Sequence, residues 1–354
     1  MNYIGSKLRL LGFLENSIKS VVGEGEHTLC DLFSGTGIVG AHFKKLGYKI
    51  ISNDLQYYSY VINKHLIGNN NRFEFDGLKD IIVGITDSEI NNRPQLVCDY
   101  LNNLNLTTGF IYNNYSSGGT INDEHVRLYF SDENAKICDT IRIKLEEWKN
   151  KSLINENEYY FLLSSLIECV DEKANTASVY GAYLKNIKKS AMDKVILKPI
   201  EIIGGQHENL VFNKDANELV KEIECDVMYL DPPYNNRVYG DNYHILETIA
   251  KYDEPSIKGK TGNRSQKTIS KYSRKSDVKR AFTELIQNIN AKYIFLSYNN
   301  EGLLSLEEIK EIMSTKGEYG IFTKEYQRYK SDKDENRNHK VIKIYEYLHY
   351  VKCG

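Results

Sequence analysis

Four consecutive residues, Asp231, Pro232, Pro233 and Tyr234, bring together a carboxylate, several carbonyl oxygens and an aromatic ring. The two prolines fix φ and remove two backbone donors, so they predict a rigid, extended loop. The carboxylate and the Pro232 carbonyl can accept both N–H bonds of an exocyclic amine, and the Tyr234 ring can stack on a flat base, which is worth about 1–3 kcal/mol. These residues therefore fit the binding of a nucleobase through its amino group. A proline-rich turn that ends a strand is the simpler alternative.

An apolar run leads directly into this segment. Residues 225–230 are too few for a typical helix and are rich in strand formers, so they predict a buried parallel strand. In open α/β sheets, ligands bind in the crevice beyond the carboxyl ends of the strands. We therefore expect Asp231 and its neighbours to project into a binding crevice.

A glycine-rich turn follows an earlier predicted strand, 28–33. Residues 34–37 are Ser-Gly-Thr-Gly, and apolar residues from Ile38 onward predict a helix. Glycine permits a tight turn and a close approach of the backbone to a ligand. Gly40 formally completes the spacing of a dinucleotide cradle, so an oxidoreductase with a nicotinamide cofactor is an alternative.

Asp54 follows the next predicted strand, 48–53, roughly twenty residues beyond the glycines, where an acid can bind ribose hydroxyls. Both types of nucleoside cofactor use such an acid. Asp54 could instead cap the helix that follows it. This residue therefore supports nucleoside binding without choosing the cofactor.

Two motifs together carry a resemblance to a known family. Asp-x-Phe-x-Gly-x-Gly at 31–37 and Asp-Pro-Pro-Tyr at 231–234 resemble the adenine-N6 DNA methyltransferases of the Dam-like D12 class, with the motif order of the alpha type. The resemblance implies an α/β fold, namely a Rossmann-like, seven-stranded, mostly parallel sheet with an inserted, mainly helical target-recognition domain. It also implies transfer of a methyl group from S-adenosylmethionine to N6 of an adenine flipped out of double-stranded DNA, without a metal.

The resemblance also implies roles for individual residues. An aromatic-Gly-Lys segment at the amino terminus of the family folds over the methyl donor, although here it could also be a capped first helix. Asp215, sixteen residues before Asp231, matches an acid that binds the adenine amine of the cofactor. The cofactor-binding set is Tyr3, Lys7, Asp31, Phe33, Ser34, Gly35, Thr36, Gly37, Asp54, Asp215 and Asp231, and the catalytic set is Asp231, Pro232, Pro233 and Tyr234.

The middle of the chain interrupts the alternation of strands and helices. We predict a catalytic domain from 1–68 and 205–354, and an inserted target-recognition domain from 69–204. Ser131, and Asn155 with Glu158, are capping signals for two amphipathic helices in the insertion. Its lysines, which include Lys188 and Lys189, form either DNA phosphate contacts or an ordinary solvated surface.

The most basic stretch lies between residues 258 and 280. Nine cations there stand against Asp277 alone, and glycines and serines between them predict a mobile loop that orders on a phosphate backbone. A solvated loop is the alternative. The predicted DNA-binding residues of this stretch are Lys258, Lys260, Arg264, Lys267, Lys271, Arg274 and Lys275.

Asn235, Arg237 and Tyr243, which follow the catalytic motif, are candidates to line the base pocket, although Tyr243 could pack in the core. Further on, residues 293–298 predict a buried strand. Alternating residues near 320–328 and 341–350 predict a final antiparallel pair of strands. Together with the strands near 28, 48, 209 and 225, these give seven.

Composition limits the class of protein. The 354 residues carry a net charge of -2, so any surface that binds nucleic acid must be local. The six cysteines contain no Cys-x-x-Cys pair, which indicates reduced thiols and not zinc ligands. No signal peptide and no apolar run of membrane-spanning length is seen, so we expect a cytoplasmic protein that does not bind membranes.

Other functions remain open from the sequence. Cytosine N4 methylation, or methylation of RNA or of protein amides, is the nearest alternative to adenine N6 methylation. A DNA-binding protein without catalysis is another. A cognate restriction endonuclease that acts on the same DNA site is an expected partner in the cell, implied by the family alone.

Overall fold

The computed structural model describes residues 5–25, 27–234, 239–265, 269–327 and 343–354. Some residues predicted to form the site lie outside these ranges: Tyr3, Asn235, Arg237 and Lys267.

The described residues form two compact units. The sheet unit comprises Gly5–Asn63, Gly205–Val238 and Thr268–Gly354, and the helical unit comprises Lys64–Gly204 and Tyr239–Lys267. The segment after the catalytic motif therefore groups with the helical unit, whereas the sequence placed it in the catalytic domain.

The strands of the structure are β1 (Thr28–Asp31), β2 (Lys49–Asn53), β3 (Leu210–Phe212), β4 (Cys225–Leu230), β5 (Ile257–Lys258), β6 (Asn263–Arg264), β7 (Ala291–Asn299), β8 (Gly317–Gln327) and β9 (Lys343–Cys353). The sheet unit contains a seven-stranded sheet in the order β3-β2-β1-β4-β7-β9-β8. The first five strands of this order run parallel to their neighbours, and β9 is antiparallel to both β7 and β8. The prediction of a mostly parallel sheet closed by an antiparallel pair is confirmed.

Helices complete both units. The α-helices are α1 (Leu11–Val22), α2 (Ile38–Lys45), α3 (Tyr57–Asn63), α4 (Arg93–Asn102), α5 (Phe110–Tyr115), α6 (Asp132–Asn150), α7 (Glu156–Lys173), α8 (Lys189–Met192), α9 (Ala216–Leu219), α10 (Tyr239–Asn242), α11 (His244–Lys251), α12 (Val278–Asn288) and α13 (Leu306–Met313). Shorter helical turns are Leu8–Leu10, Lys64–Gly68, Asp76–Leu78, Lys271–Ser273 and Ser314–Lys316. Within the ranges that the structure describes, no helix is both long enough and apolar enough to span a membrane.

The two capping signals in the insertion are confirmed. The Ser131 side chain accepts a hydrogen bond from the Asn134 N–H at the start of α6. Asn155 and Glu158 form a reciprocal capping box at the start of α7. Both caps satisfy backbone donors that have no partner within the helix, which is why these helices begin where the sequence indicates.

The core of the sheet unit lies between the sheet and the helices packed on it. β4 is flanked by β1 and β7, and its residues Val227–Leu230 are fully buried. Apolar side chains of α12, such as Phe282 and Leu285, belong to the same buried cluster as Met228 and Leu230 of the strand. This packing fixes the carboxyl end of β4, where Asp231 begins.

The stretch predicted as a mobile basic loop is in part an anchored hairpin. β5 and β6 pair antiparallel within the helical unit. The Tyr115 hydroxyl donates to the Gly262 carbonyl at 2.9 Å, and Arg127 donates to the carbonyls of Gly259 and Lys260. Beyond the hairpin, α12 begins at Val278. The prediction of a single mobile loop is therefore wrong for the described residues, because buried side chains of the helical unit hold the backbone of the hairpin.

Candidate active site

Asp231 forms a buried ion-pair network at the end of β4. The Lys7 ammonium nitrogen lies 3.0 Å from Asp231 Oδ1 and 3.0 Å from Glu346 Oε1 of β9. The side chains of Lys7 and Glu346 are buried, whereas that of Asp231 is 17% exposed. Among the described residues, the contacts of the Asp231 carboxylate are made through Oδ1, and Oδ2 has no hydrogen-bond partner. Lys7 thus binds one carboxylate oxygen of Asp231, and the other oxygen can accept a hydrogen bond from a ligand.

The groups around Asp231 shift its pKa in opposite directions. Burial raises the pKa of Asp231 to about 6, Lys7 lowers it and Glu346 raises it. Burial would lower the pKa of Lys7, but Asp231 and Glu346 together raise it well above its ordinary value. At neutral pH this lysine is therefore charged and Asp231 is mostly ionised.

Tyr234 is positioned by the loop that follows β7. The Leu303 N–H donates to the Tyr234 carbonyl at 2.9 Å, and the ring meets Tyr298 edge to face at 5.9 Å between centroids. Lys7 Nζ lies 5.8 Å from the centroid of the Tyr234 ring. Gly302 makes room for this arrangement, since a Cβ at that position would lie 2.0 Å from Tyr298 Cε1. The aromatic residue of the motif is thus fixed on two sides and remains partly exposed.

The glycine turn lies at the carboxyl end of β1. Gly35 and Gly37 have φ of 51° and 74°, in the left-handed region that favours glycine. The Asn63 side chain donates to the Gly35 carbonyl at 3.0 Å, and a Cβ on Gly37 would lie 2.5 Å from Asn63 Oδ1. The Ser34 hydroxyl donates to the Asn53 carbonyl. Strain and crowding therefore both require glycine at position 37.

Asp54 braces the same turn. Its Oδ2 accepts a hydrogen bond from the Gly35 N–H at 2.8 Å, and its Oδ1 accepts one from the Gln56 N–H at 2.8 Å. Both carboxylate oxygens therefore accept hydrogen bonds from the backbone. The predicted role of Asp54 in binding ribose stays a prediction.

Asp31 is a second buried acid beside the first. Its Oδ2 accepts a hydrogen bond from the Gly40 N–H at 3.2 Å. Burial raises the pKa of Asp31 to about 8, and the charges of Asp231 and Asp54 add to the increase. Three carboxyl groups, those of Asp31, Asp54 and Asp231, therefore follow adjacent strands, with Lys7 as the cation that the structure places beside Asp231. Such a set fits a ligand that carries positive charge, as the sulfonium of S-adenosylmethionine does.

Phe33 and Asp215 border this region. The Phe33 ring packs edge to face on Tyr272 at 5.1 Å between centroids, and both Phe33 and Thr36 are partly exposed. Asp215 caps α9 by accepting from the Asn217 N–H, and Lys271 Nζ lies 3.7 Å from its other oxygen. Their predicted contacts with a cofactor stay predictions. In the described residues no cluster of three or more His, Cys, Asp or Glu could hold a metal ion.

The predicted DNA-binding cations that the structure describes differ in exposure. Six of them are exposed: Lys189, Lys258, Lys260, Lys271, Arg274 and Lys275. Two of these six, Lys271 and Arg274, also lie near acids. Lys188 is half-buried and donates to the Thr176 carbonyl. The prediction for Arg264 is wrong for this structure: its guanidinium is buried and binds both oxygens of Asp253, at 2.8 and 2.6 Å. A buried guanidinium that is paired with a carboxylate in this way is a structural partner of Asp253 and is poorly placed to bind a phosphate.

Tyr243 is fully buried in the helical unit, so the structure supports the simpler alternative that it packs in the core.

Two polar residues of the site, Asn63 and Glu346, were not predicted from the sequence. Glu346 shares one face of β9 with the buried Leu348, and an acid on the apolar face of a strand is the signal that could have revealed it. Asn63 ends α3 and carried no comparable signal.

Comparisons with known proteins converge on one group. The sequence profile described as D12 class N6 adenine-specific DNA methyltransferase matches residues 3–312. The Type II methyltransferase M.NlaIII of Neisseria lactamica is 47% identical over 354 residues, covering 99% of each chain. M.FokI of Planomicrobium okeanokoites is 41% identical, and the modification methylase StsI of Streptococcus sanguinis is 39% identical. Each alignment covers 99% of this chain but 52% of the relative, so the chain spans about half the length of these two proteins.

Proposed function

Since this chain belongs to the D12 class of N6 adenine-specific DNA methyltransferases, we propose that it transfers a methyl group from S-adenosylmethionine to the N6 amine of an adenine in double-stranded DNA. The observation that carries the proposal is the carboxylate of Asp231, which Lys7 holds through Oδ1 while Oδ2 is left for a substrate amine. The names of the relatives support a role as the modification enzyme of a restriction-modification system, with a cognate endonuclease that need not bind it.

Asp231 and the Pro232 carbonyl would accept the two amine hydrogens of the target base. These bonds orient the nitrogen and keep its lone pair from delocalising into the ring. Lys7 keeps Asp231 ionised at neutral pH despite its burial. Tyr234 stacks on the base, which must leave the helix at a cost of a few kcal/mol before it can reach the pocket.

The turn at residues 34–37 and the acids around it would bind the methyl donor. Gly35 and Gly37 let the backbone approach a ligand, Asp54 is placed for ribose hydroxyls, and Asp31 with Asp231 favours a cation. When bound, S-adenosylmethionine supplies a methyl group on a positively charged sulfur, which leaves as a neutral thioether once the amine nitrogen has taken that methyl group. The chain contributes positioning and fixed charges, which are large terms in such a transfer.

We assign target recognition to the helical unit, including its β5–β6 hairpin. Lys258 and Lys260 are exposed on that hairpin and fit contacts with phosphates. Lys189 is a further exposed cation of the same unit. This assignment extends the inserted domain expected from the sequence by residues 239–267.

The test is methylation of duplex DNA by the purified chain, with nucleoside analysis of the product. N6-methyladenine is expected, and N4-methylcytosine as the sole product would refute the adenine assignment. Asp231→Ala should lose methylation and keep DNA binding, because the variant removes the amine acceptor and leaves the cations. Asp226→Ala is the matched control, since Asp226 lies at the opposite end of β4 and pairs there with Lys292.

A further inference from the structure

Glu346 is a buried acid that lies beyond the region matched by the family profile, which ends at residue 312. It is 3% exposed and lies in the first half of β9. Its Oε1 lies 3.0 Å from Lys7 Nζ and accepts a hydrogen bond from the Ser297 hydroxyl of β7 at 2.7 Å. The carboxylate is thus fixed by one strand while it contacts the lysine that binds Asp231.

We propose that Glu346 is a positioning residue for methyl transfer, which holds the Lys7 ammonium at Asp231 Oδ1 and shares its charge, so that Asp231 Oδ2 remains a strong acceptor for the substrate amine. The inference rests on the proposed function of the chain. It assigns a role in the site to the antiparallel strand that closes the sheet.

Charge balance explains why one lysine needs two acids here. A buried ammonium paired with a single carboxylate forms a neutral pair, in which each charge largely neutralises the other. With a second carboxylate 3.0 Å away, the network keeps a net negative charge, and part of it stays on Asp231. A substrate amine then meets an acceptor that Lys7 has not neutralised.

Several groups act on the charge of Asp231. Lys7 faces it from the segment before α1, Glu346 from β9 and Asp31 from β1, while Tyr229 lies near it on β4 itself. Lys7 lowers the pKa of Asp231, and Glu346 raises it. Removing the charge of Glu346 therefore lowers the pKa of Asp231 and makes it a weaker base, whereas a purely structural role would leave the pKa unchanged.

The experiment measures kcat for methyl transfer to duplex DNA as a function of pH for Glu346→Gln. The substitution keeps the size of the side chain and removes its charge. We expect the midpoint of the acidic limb to move down by about one pH unit, and the plateau kcat to fall about tenfold. The control is Glu318→Gln, the same change at an exposed position of β8, which should alter neither quantity. A midpoint that stays in place or moves up overturns the inference.

A double variant gives an independent check. If Glu346 acts mainly through Lys7, adding Glu346→Gln to a Lys7→Met chain should reduce the plateau kcat by clearly less than the tenfold loss expected in the native background, although the direct effect of the Glu346 charge on the pKa of Asp231 remains. An equal loss in both backgrounds overturns the inference. If the native chain itself methylates no DNA, the proposed function fails. If the native chain is active and Glu346→Gln leaves the midpoint in place, the role of Glu346 alone fails.

Discussion

The ammonium nitrogen of Lys7 lies 3.0 Å from Oδ1 of Asp231, so the residue that precedes the first helices of the chain holds the acid that ends the central strand. Both side chains belong to the sheet unit. The pair places a fixed positive charge beside the carboxylate that we assign to the substrate amine. Its consequences can be measured through the protonation of Asp231.

Lys7→Met should reduce kcat for methyl transfer at pH 7.5 by about 10²- to 10³-fold, because a preorganised charge is lost. Since Lys7 lowers the pKa of Asp231, its removal should raise that pKa above about 6 and move the acidic limb of the pH profile upward. The measurement is the rate of transfer of a labelled methyl group between pH 5 and 9. Lys19→Met, on the partly exposed Lys19–Glu15 pair of α1, is the control. A limb that moves downward would contradict the assignment.

Asp31 should make binding of the methyl donor depend on pH. Its pKa is about 8 in the free chain, and a neighbouring cation favours the ionised form. Affinity for a cation must therefore increase as pH rises toward 8, the pKa of the free chain, and level off above it. S-adenosylmethionine and S-adenosylhomocysteine differ in the charge on sulfur but share the same amino group, so the ratio of their Kd values isolates that charge. We expect the preference for S-adenosylmethionine to grow about three- to tenfold between pH 6 and 9.

Asp31→Asn is the matched variant for this measurement, because the amide oxygen can still accept from the Gly40 N–H. It should remove the part of the pH dependence that falls between pH 7 and 9. Calorimetric titration with each ligand gives both Kd values. A ratio that changes with pH equally in the native chain and in Asp31→Asn would show that other groups cause the dependence.

Gly302→Ala should impair the site without touching any residue of the catalytic motif. The added Cβ would lie 2.0 Å from Tyr298 Cε1, so the ring that supports Tyr234 must move. We expect a loss of about 1–3 kcal/mol in the free energy of unfolding, as for other overpacked sites, and a larger decrease in kcat than in affinity for the methyl donor. Thermal unfolding and steady-state kinetics measure the two effects.

Gly12→Ala on α1 is the control for Gly302→Ala. A Cβ on Gly12 meets nothing within 4 Å, and alanine at a helical position loses less backbone entropy on folding than glycine does. This variant should therefore be slightly more stable and fully active. Normal activity in Gly302→Ala would argue against a supporting role for Tyr298.

The β5–β6 hairpin allows a comparison of exposed lysines with a buried, paired arginine on one element. Lys258→Gln with Lys260→Gln should weaken DNA binding at all sequences and reduce the slope of log K against log salt concentration by nearly 2, about 0.9 for each lost phosphate contact. Arg264→Gln should lower stability, because it leaves Asp253 without its partner, but keep the slope. Binding titrations at several salt concentrations test both. An unchanged slope in the double lysine variant would exclude these lysines from the DNA interface.

The sequence alone determined the order of the motifs, the strands that carry them and the capped helices of the insertion. Each of these is indicated by a pattern within a few residues along the chain. The apolar run at 225–230 is rich in strand formers, and Asn155 caps α7 with Glu158 three residues away. Family membership also follows from such local patterns, because Asp31–Gly37 and Asp231–Tyr234 are contiguous.

Only the tertiary structure decided which charges meet. Arg264 looked like one cation of a basic stretch, yet it folds onto Asp253 and is buried. Glu346 looked like one acid of an alternating strand, yet it binds Lys7 from the other end of the chain. A charge becomes a phosphate ligand, a structural partner or part of a site according to what packs against it. That packing depends on contacts between residues far apart in sequence, which no local pattern encodes.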